Sequence, residues 1–547
     1  MQDVSIPAMI RRQVAQAGGS TILRKKDRGI WKAVAWAELG RRVDAVAAGL
    51  QAAGIGRGDV VGVLSDISPA FIAADLGILA AGSVALALYP SDAGDAVAHV
   101  LAGSGCQLLF VEGEEQLDKV LHARAQCPAL RRIVILDMKG LRAFTDPMCE
   151  SFEVFLARGT GFVMPDIGAD HPAVLAYTAG TTGPARPIRL SHRNVITQIG
   201  AGLALTGLGP ADERLAFLPM AQVTERIFGL YLSLAAGAIS NLVESVETVP
   251  ENLAEVRPTV LIAPPRVWQR LAGGLDASAA AATNVQRGLF RWAMRAGSGL
   301  ARRLVLRPAL AAVGLDRLRC AWVGGAAVSP DIIRRFHTLG VPLVEFYGLT
   351  ECGGLASLDA PVAGLELRIA ADGEIHLRGP QVADENLADG WLATGDLGHH
   401  VDGGLRFEGR ANERLILPDG SAVLPSMLEN ALKLSPFIGD ALVVGEGQGR
   451  LGCLVMLEPD VLEGWALARD LPPGNFAALV QSDEVRALVQ TEIDRVNGTA
   501  RVALGCFAVI DRRLEPGDPE LTAMMRLRRD VVLAGYADRI ETMFRSG

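Results

Sequence analysis

Tyr177-Thr178-Ala179-Gly180-Thr181-Thr182-Gly183-Pro184-Ala185-Arg186 follows the apolar run Ala173 to Ala176, and this stretch decides how the rest of the chain is read. Four apolar residues leading into a Thr/Gly cluster read as a strand that ends in a loop. Glycines let backbone N–H groups approach an anion closely, threonine hydroxyls add donors, and a closing cation neutralises phosphate charge. The spacing departs from the Walker pattern, because no Gly-Lys-Ser/Thr follows four residues after a glycine. Taken alone, the segment is equally a polar turn after a strand, so its meaning depends on its surroundings.

Upstream and downstream, short apolar runs alternate with helix-length segments. Gly58 to Leu64, Gln107 to Val111, Arg132 to Leu136 and Thr259 to Ala263 carry the β-branched and apolar character of buried strands, and their spacing predicts βαβ units with a parallel sheet. From about Gly373 the texture changes: Gly373 to Gly379 and Gly404 to Gly409 are short runs bounded by glycines, predicting an antiparallel piece. The tail beyond Arg410 mixes such strands with helices such as Asp483 to Val496 and is long enough for a domain of its own. The expected fold is therefore a large α/β amino-terminal domain with mixed sheets, helices and a small β lobe, followed by a smaller α+β carboxy-terminal domain.

Composition narrows the function. With 547 residues, 50% of them apolar and 21% charged, the chain has globular composition and room for several lobes. A formal charge of −8, from 53 basic and 61 acidic residues, argues against nucleic acid as a partner. Seven cysteines without a Cys-x-x-Cys pair suit a reducing cytoplasm. The opening Met1 to Pro7 lacks a basic stretch followed by an apolar core, so no secretory leader is expected. The longest uncharged stretches, Leu76 to Ser91 and Ile227 to Val243, are too short to span a bilayer and read as buried core. Peripheral contact with the inner membrane face stays compatible with a lipid substrate.

Further segments accompany the Thr/Gly loop. Phe346-Tyr347-Gly348-Leu349-Thr350-Glu351 groups an aromatic face, a glycine, a hydroxyl and a carboxylate, suited to a nucleobase beside a metal-bound phosphate. Gly390 to Asp396 ends in a carboxylate able to accept from ribose hydroxyls, and Gly409-Arg410 follows. With these in order, the chain resembles the adenylate-forming (AMP-binding) enzymes and, within them, bacterial long-chain fatty acyl-CoA synthetases. The likeness runs nearly end to end. It includes Lys26 to Trp31, Phe217 to Ala221 with Glu225-Arg226, Ala263 to Trp268, Gly324 to Pro330, and Glu520 to Arg529.

The resemblance implies an acid–thiol ligase with ATP, Mg2+ and coenzyme A: a medium- to long-chain fatty carboxylate attacks the α-phosphate, then the coenzyme A thiol displaces AMP. Carried over by motif position, Thr178, Gly180, Thr181, Thr182, Gly183 and Arg186 would line the phosphates. Gly325, Ala326, Ala327 and Tyr347 would surround adenine, Asp396 would hold the ribose, and Arg410 would contact the nucleotide. Thr350 would sit near the α-phosphate and Glu351 would hold magnesium. Residues 1–409 would form the nucleotide- and acyl-binding domain, 410–412 the hinge with Asn412 as its pivot, and 413–547 the mobile domain. Gly420 would approach coenzyme A, Gln222 the acyl pocket, and Arg526 would supply the catalytic cation.

Several positions depart from the family pattern. Ala179, Arg186 and Pro187 stand where the phosphate loop usually has Ser, Lys and Gly. Arg526 occupies the place of a catalytic lysine, and lysine occurs only at 25, 26, 32, 119, 139 and 433, so none lies nearby. A planar guanidinium is no simple substitute for a compact ammonium at a crowded phosphate. Gln222 replaces a residue commonly aromatic or His, and Asn412 replaces Lys or Asp. The alternative is a homologue that binds nucleotide or acyl-CoA without turnover and acts in regulation. Outside these motifs, His192 reads as structural with Ser191 as a helix cap, Cys352 as packing, Glu225-Arg226 as an internal ion pair or else part of the acyl tunnel's rim, and Gly445 to Gly449 as a turn.

Overall fold

In the computed structural model the Thr/Gly stretch joins the last two strands of a seven-stranded sheet. Its strands lie in the order Cys149–Ser151, Arg132–Ile135, Leu108–Val111, Val60–Leu64, Val84–Leu88, Pro172–Tyr177 and Pro187–Ser191. All neighbours are parallel except the last pair. The structure describes residues 3–159, 161–178, 185–281, 283–296, 299–326, 328, 330–358, 360–385, 387–401, 404–467, 469, 471, 475–498, 500–515, 518–522 and 526–546.

A second seven-stranded sheet repeats the plan, with strands ordered Leu343–Phe346, Cys320–Gly324, Val260–Ala263, Glu213–Ala216, Ile239–Leu242, Thr21–Asp27 and Ile30–Ala35. Only its last pair is antiparallel. The four predicted strands fall in these two sheets, with ends shifted by a residue or two. Crossover helices explain the near-continuous burial of strands such as Val60–Leu64 and Val84–Leu88, whose residues are all buried.

The two uncharged stretches are interior, as their sequence implied. Helix Pro69–Ala80 starts at the Ser68 cap and buries every residue from Phe71 to Ala80. A helix apolar on every face but for one paired carboxylate, Asp75, belongs inside. It meets helix Trp36–Ala52 so closely that a Cβ on Gly77 would lie 2.5 Å from Val46. The helical run from Glu225 into Leu232–Ala236 is buried as well.

Glu225 and Arg226 do form internal ion pairs, but not with each other. Glu225 pairs with Arg214, and Arg226 pairs with Asp75. Adjacent helical residues point in different directions, so each finds its partner elsewhere. Tyr231 donates to Asp75 at 2.6 Å and accepts from Arg226 Nε at 3.0 Å, while Arg226 Nη1 donates to Ala85 O. This closed network ties the helix that carries Arg226 to the first sheet and leaves no charge uncompensated.

A five-stranded antiparallel sheet follows, built from Glu366–Ile369, Glu374–Arg378, Leu387–Ala388, Trp391–Val401 and Gly404–Arg410. Beyond the turn Ala411–Glu413, a two-stranded hairpin precedes a three-stranded sheet of Ile438–Val444, Leu451–Leu457 and Leu504–Val509. Helix Asp483–Asn497 packs its Val485, Val489, Ile493 and Val496 face into that core. Gly445 to Gly449 is the turn between the first two of these strands. No helix among the described residues is long and apolar enough to cross a membrane.

Candidate active site

The Thr/Gly loop leaves its sheet through a closed neck. Thr178 N donates to Arg186 O at 3.0 Å, and Arg186 N donates to Thr178 Oγ1 at 3.0 Å. Residues 179–184, and with them Gly180, Thr181, Thr182 and Gly183, lie outside the described residues. The Arg186 side chain is exposed beside the neck. Strand Pro187–Ser191 then runs directly into helix His192–Thr206, whose start is a capping box between Ser191 and Asn194. His192 serves structure, accepting from Ile6 N through Nδ1 at 3.2 Å.

That helix braces the facing wall. Asn194 Nδ2 donates to Pro380 O at 2.9 Å and Val382 O at 3.0 Å. One turn on, Gln198 Nε2 donates to the carbonyls of Cys352 and Leu355, the latter at 2.6 Å. Neither residue was singled out from the sequence. The available signal was a pair of polar side chains at i and i+4 on the face a helix buries, which only contacts far along the chain can satisfy.

The facing wall is the carboxyl end of the second sheet, where parallel strands of such folds present ligands. Gly324 and Phe346 are register partners there, and a Cβ on Gly324 would stand 2.6 Å from Phe346 O. Gly325 takes φ +77 and is followed by Ala326, while Ala327 is outside the described residues. Gln222 lies alongside: a Cβ on Gly325 would be 3.9 Å from its Nε2, and its buried Oε1 has no hydrogen-bond partner among the described residues. Gly348 has no room for a side chain, since a Cβ would fall 2.2 Å from Gly354 O.

Tyr347 is the hub. Its hydroxyl donates to Asp396 Oδ2 at 2.8 Å, and its ring stacks on Phe407 with centroids 5.9 Å apart. Asp396 and Arg410 are register partners on adjacent antiparallel strands. Arg410 Nε lies 3.0 Å from Asp396 Oδ1 without hydrogen-bond alignment, so that buried oxygen has no hydrogen-bond donor among the described residues. Burial raises the Asp396 pKa, while Arg410 and the Tyr347 hydroxyl pull it back down. A buried carboxylate oxygen with no donor is costly unless a ligand supplies one, and a sugar hydroxyl would do so.

Thr350 and Glu351 begin a short 3-10 turn just beyond Tyr347, and Glu351 O accepts from Ala383 N at 2.7 Å. The Glu351 carboxylate is half-buried with no hydrogen bond or ion pair among the described residues. A single free carboxylate suits magnesium, which keeps several waters and takes its remaining ligands from phosphates. Cys352 is buried and packed, its thiol pushed up to about 12 by burial, which suppresses the nucleophilic thiolate.

The carboxy-terminal elements stand apart from this cluster. Asn412 is exposed in the Ala411–Glu413 turn, and Gly420 takes φ +81 in an exposed hairpin turn. Thr522 and Arg526 bond each other reciprocally, Thr522 N to Arg526 O at 2.8 Å and Arg526 N to Thr522 Oγ1 at 3.2 Å. The Arg526 side chain is exposed. Its neighbours differ: Arg529 pairs with Glu429, and Arg528 lies near enough to Asp92 to lower its pKa, against a burial effect that leaves it at about 6. No hydrogen bond or ion pair among the described residues joins Arg526 or Gly420 to the Tyr347 cluster. Arg266 to Glu458 at 2.5 Å and Gln269 Nε2 to Lys433 O at 3.2 Å link the second sheet's helix to the tail.

Comparison with known proteins identifies the family and the fold. The family model described as "AMP-binding enzyme" matches residues 10–385, and "AMP-binding enzyme C-terminal domain" matches 412–547. Long-chain-fatty-acid–CoA ligase FadD15 of Mycobacterium tuberculosis is 28% identical over 94% of this chain and 93% of its own. Long-chain-fatty-acid–CoA ligase ACSBG2 of Xenopus laevis is 25% identical over 99% and 84%. Among solved structures, the A domain of carboxylic acid reductase from Segniliparus rugosus superposes with TM-score 0.81 at 18% identity, covering 100% of this chain and 95% of that one. The anthranilate CoA ligase AuaEII gives TM-score 0.75 at 17%, with 98% of each covered.

Proposed function

Because the chain belongs to the AMP-binding enzyme family, we propose that it activates a medium- to long-chain fatty acid with Mg·ATP and transfers the acyl group to coenzyme A. In the first half-reaction a carboxylate oxygen bonds to the α-phosphorus, the bond to the bridging oxygen breaks, and pyrophosphate leaves. In the second, the coenzyme A sulfur bonds to the acyl carbon, the carbon–oxygen bond to AMP breaks, and the thiol proton is lost. Neither step needs an enzyme-bound covalent intermediate.

A carboxylate approaching an anionic phosphate is slow unless fixed donors and cations face the developing charge. In this reading Thr178, Gly180, Thr181, Thr182, Gly183 and Arg186 face the phosphates and Thr350 the α-phosphate. Gly325, Ala326, Ala327 and Tyr347 border the adenine, with Gln222 at the acyl pocket. Asp396 offers its unsatisfied Oδ1 to the ribose, with Arg410 held against it. Glu351 would carry the magnesium that arrives with ATP, which neutralises phosphate charge when bound. Residues 410–412, with Asn412 as pivot, join the body 1–409 to a mobile domain 413–547, which brings Arg526 for adenylation and Gly420 for coenzyme A. A cytoplasmic location fits this chemistry. Relatives named as ligases do not favour a homologue without turnover.

The observation that carries the reading is the Tyr347–Asp396–Arg410 cluster with its unfilled carboxylate oxygen. The test is pyrophosphate release from Mg·ATP with saturated acids of increasing length. Wild-type protein releases it with fatty acids, whereas Asp396→Ala loses roughly 100-fold or more, about 3 kcal/mol of nucleotide binding in the transition state. Release that is absent with every acid, or unchanged in the variant, counts against the proposal.

A further inference from the structure

We propose that helix Asn284–Ala296 and the helical segment after it dock this enzyme on an anionic bilayer surface. The proposal stands on this surface alone and does not depend on the catalytic reading. Between residues 284 and 312 the sequence holds Arg287, Arg291, Arg295, Arg302, Arg303 and Arg307 and no Asp or Glu, in a chain whose net charge is −8. Such a one-signed stretch on an acidic protein is a local charge feature that composition does not explain.

The helix also has more apolar surface than its own packing uses. Ala293 is fully buried, and Phe290 and Met294 pack on the core of the second sheet's helices. That is the inward face. Val285, Leu289 and Trp292, at i, i+4 and i+7, form another face, and they are 80%, 48% and 51% exposed. Leu300 and Leu304, again at i and i+4, are 66% and 65% exposed on the segment that packs beside it. Large exposed apolar groups clustered on two neighbouring helices mark an interaction site.

The arginines indicate which kind. Arg302 is used internally, donating to His337 O at 2.9 Å and Thr338 O at 3.3 Å. Arg291, Arg295, Arg303 and Arg307 have no ion pair or hydrogen bond among the described residues. Arg291 and Arg295 sit one turn apart and, with Gly288, Trp292 and Ala296, line a shallow depression of about 450 Å³. A depression lined by two guanidiniums, an indole and two small residues fits a lipid phosphate beside an interfacial tryptophan. Trp and Leu on one side with arginine flanking them is the composition of a helix that lies in the headgroup layer. An acidic protein surface would satisfy the arginines but would not require the Val285, Leu289, Trp292, Leu300 and Leu304 cluster to enter hydrocarbon.

The experiment is flotation of the full-length protein with vesicles of phosphatidylcholine alone or containing about 30% phosphatidylglycerol, at low and high salt. Binding is expected on the anionic vesicles only, weakening as salt rises. Each guanidinium near such a surface is worth roughly five-fold in partitioning, so Arg291→Glu/Arg295→Glu lowers it by at least about 25-fold. Trp292→Ala lowers it less, and Arg291→Lys/Arg295→Lys retains it. All these positions are exposed, and an unchanged thermal midpoint confirms that each variant folds. Absence of vesicle binding, equal binding to neutral vesicles, or binding unaffected by the Glu pair overturns the proposal. So does a wild-type dimer that Trp292→Ala converts to monomer without any vesicle binding, which assigns the face to protein contact.

Discussion

The Tyr347 cluster and the Arg526 hairpin both lie in segments that the sequence marked as functional, yet they are built in opposite ways. Tyr347 bonds Asp396, Asp396 is ion-paired with Arg410 on the adjacent strand, and the loop that carries Tyr347 is pinned by Gln198 from a helix 154 residues earlier. Among the described residues Arg526 has only a local pairing with Thr522, and its side chain faces solvent. The first arrangement is preorganised, so binding a nucleotide there requires little ordering. The second is held only locally, and no hydrogen bond or ion pair among the described residues fixes its exposed guanidinium against the Tyr347 cluster.

The comparison breaks most decisively at Arg526. Arg526→Ala should cut pyrophosphate release by roughly 30- to 1000-fold, about 2–4 kcal/mol of transition-state stabilisation. Arg526→Lys should preserve or raise it. Because the side chain is exposed, the thermal midpoint should stay at the wild-type value, and thioester formation from preformed acyl-adenylate should also survive. Loss of both half-reactions together would mean that Arg526 does not act on adenylation alone.

Gln198→Ala probes the braced side. It strips the Cys352 and Leu355 carbonyls of their donor in a buried site, which costs about 1–3 kcal/mol. Urea unfolding should register that loss, and the KM for ATP should rise because the Tyr347 loop is no longer pinned. Equal stability with unchanged KM would remove the bracing role.

A smaller effect sharpens the same contrast at the start of that helix. Burial, and then His171, push the His192 pKa from 6.5 down to about 3, so the native imidazole is neutral. Below pH 6.5 the unfolded chain binds the proton and the folded chain does not. The stability that His192 contributes is therefore intact above pH 6.5 and is lost as pH falls toward 3. Between pH 6 and pH 5 the loss is about 1 kcal/mol. His192→Asn, with no titrating ring, should flatten that part of the unfolding profile relative to wild type, and equal slopes would contradict the assignment.

Local chemistry made much of this legible. Ser191 announced a helix cap, Gly445 to Gly449 a turn, and the uncharged Leu76 to Ser91 a buried stretch, because each is decided within a few residues. Pairings over long separations were not legible. Glu225-Arg226 read as one ion pair, but burial sent the two charges to Arg214 and Asp75. Asn194 and Gln198 looked like ordinary helical polar residues until the loops they hold came into place.

From sequence alone came the kinds of element, their order, and the residue types a nucleotide phosphate requires, since backbone propensity, glycine freedom and side-chain chemistry act locally. Tertiary structure decided that Asn194 and Gln198 of one helix hold the loops at Val382 and Leu355, that Tyr347 bonds Asp396 while one carboxylate oxygen finds no hydrogen-bond donor among the described residues, and that Arg526 bonds Thr522 there. The reason is physical: whether a buried polar group has a partner depends on chain segments that meet only after the core has closed around them.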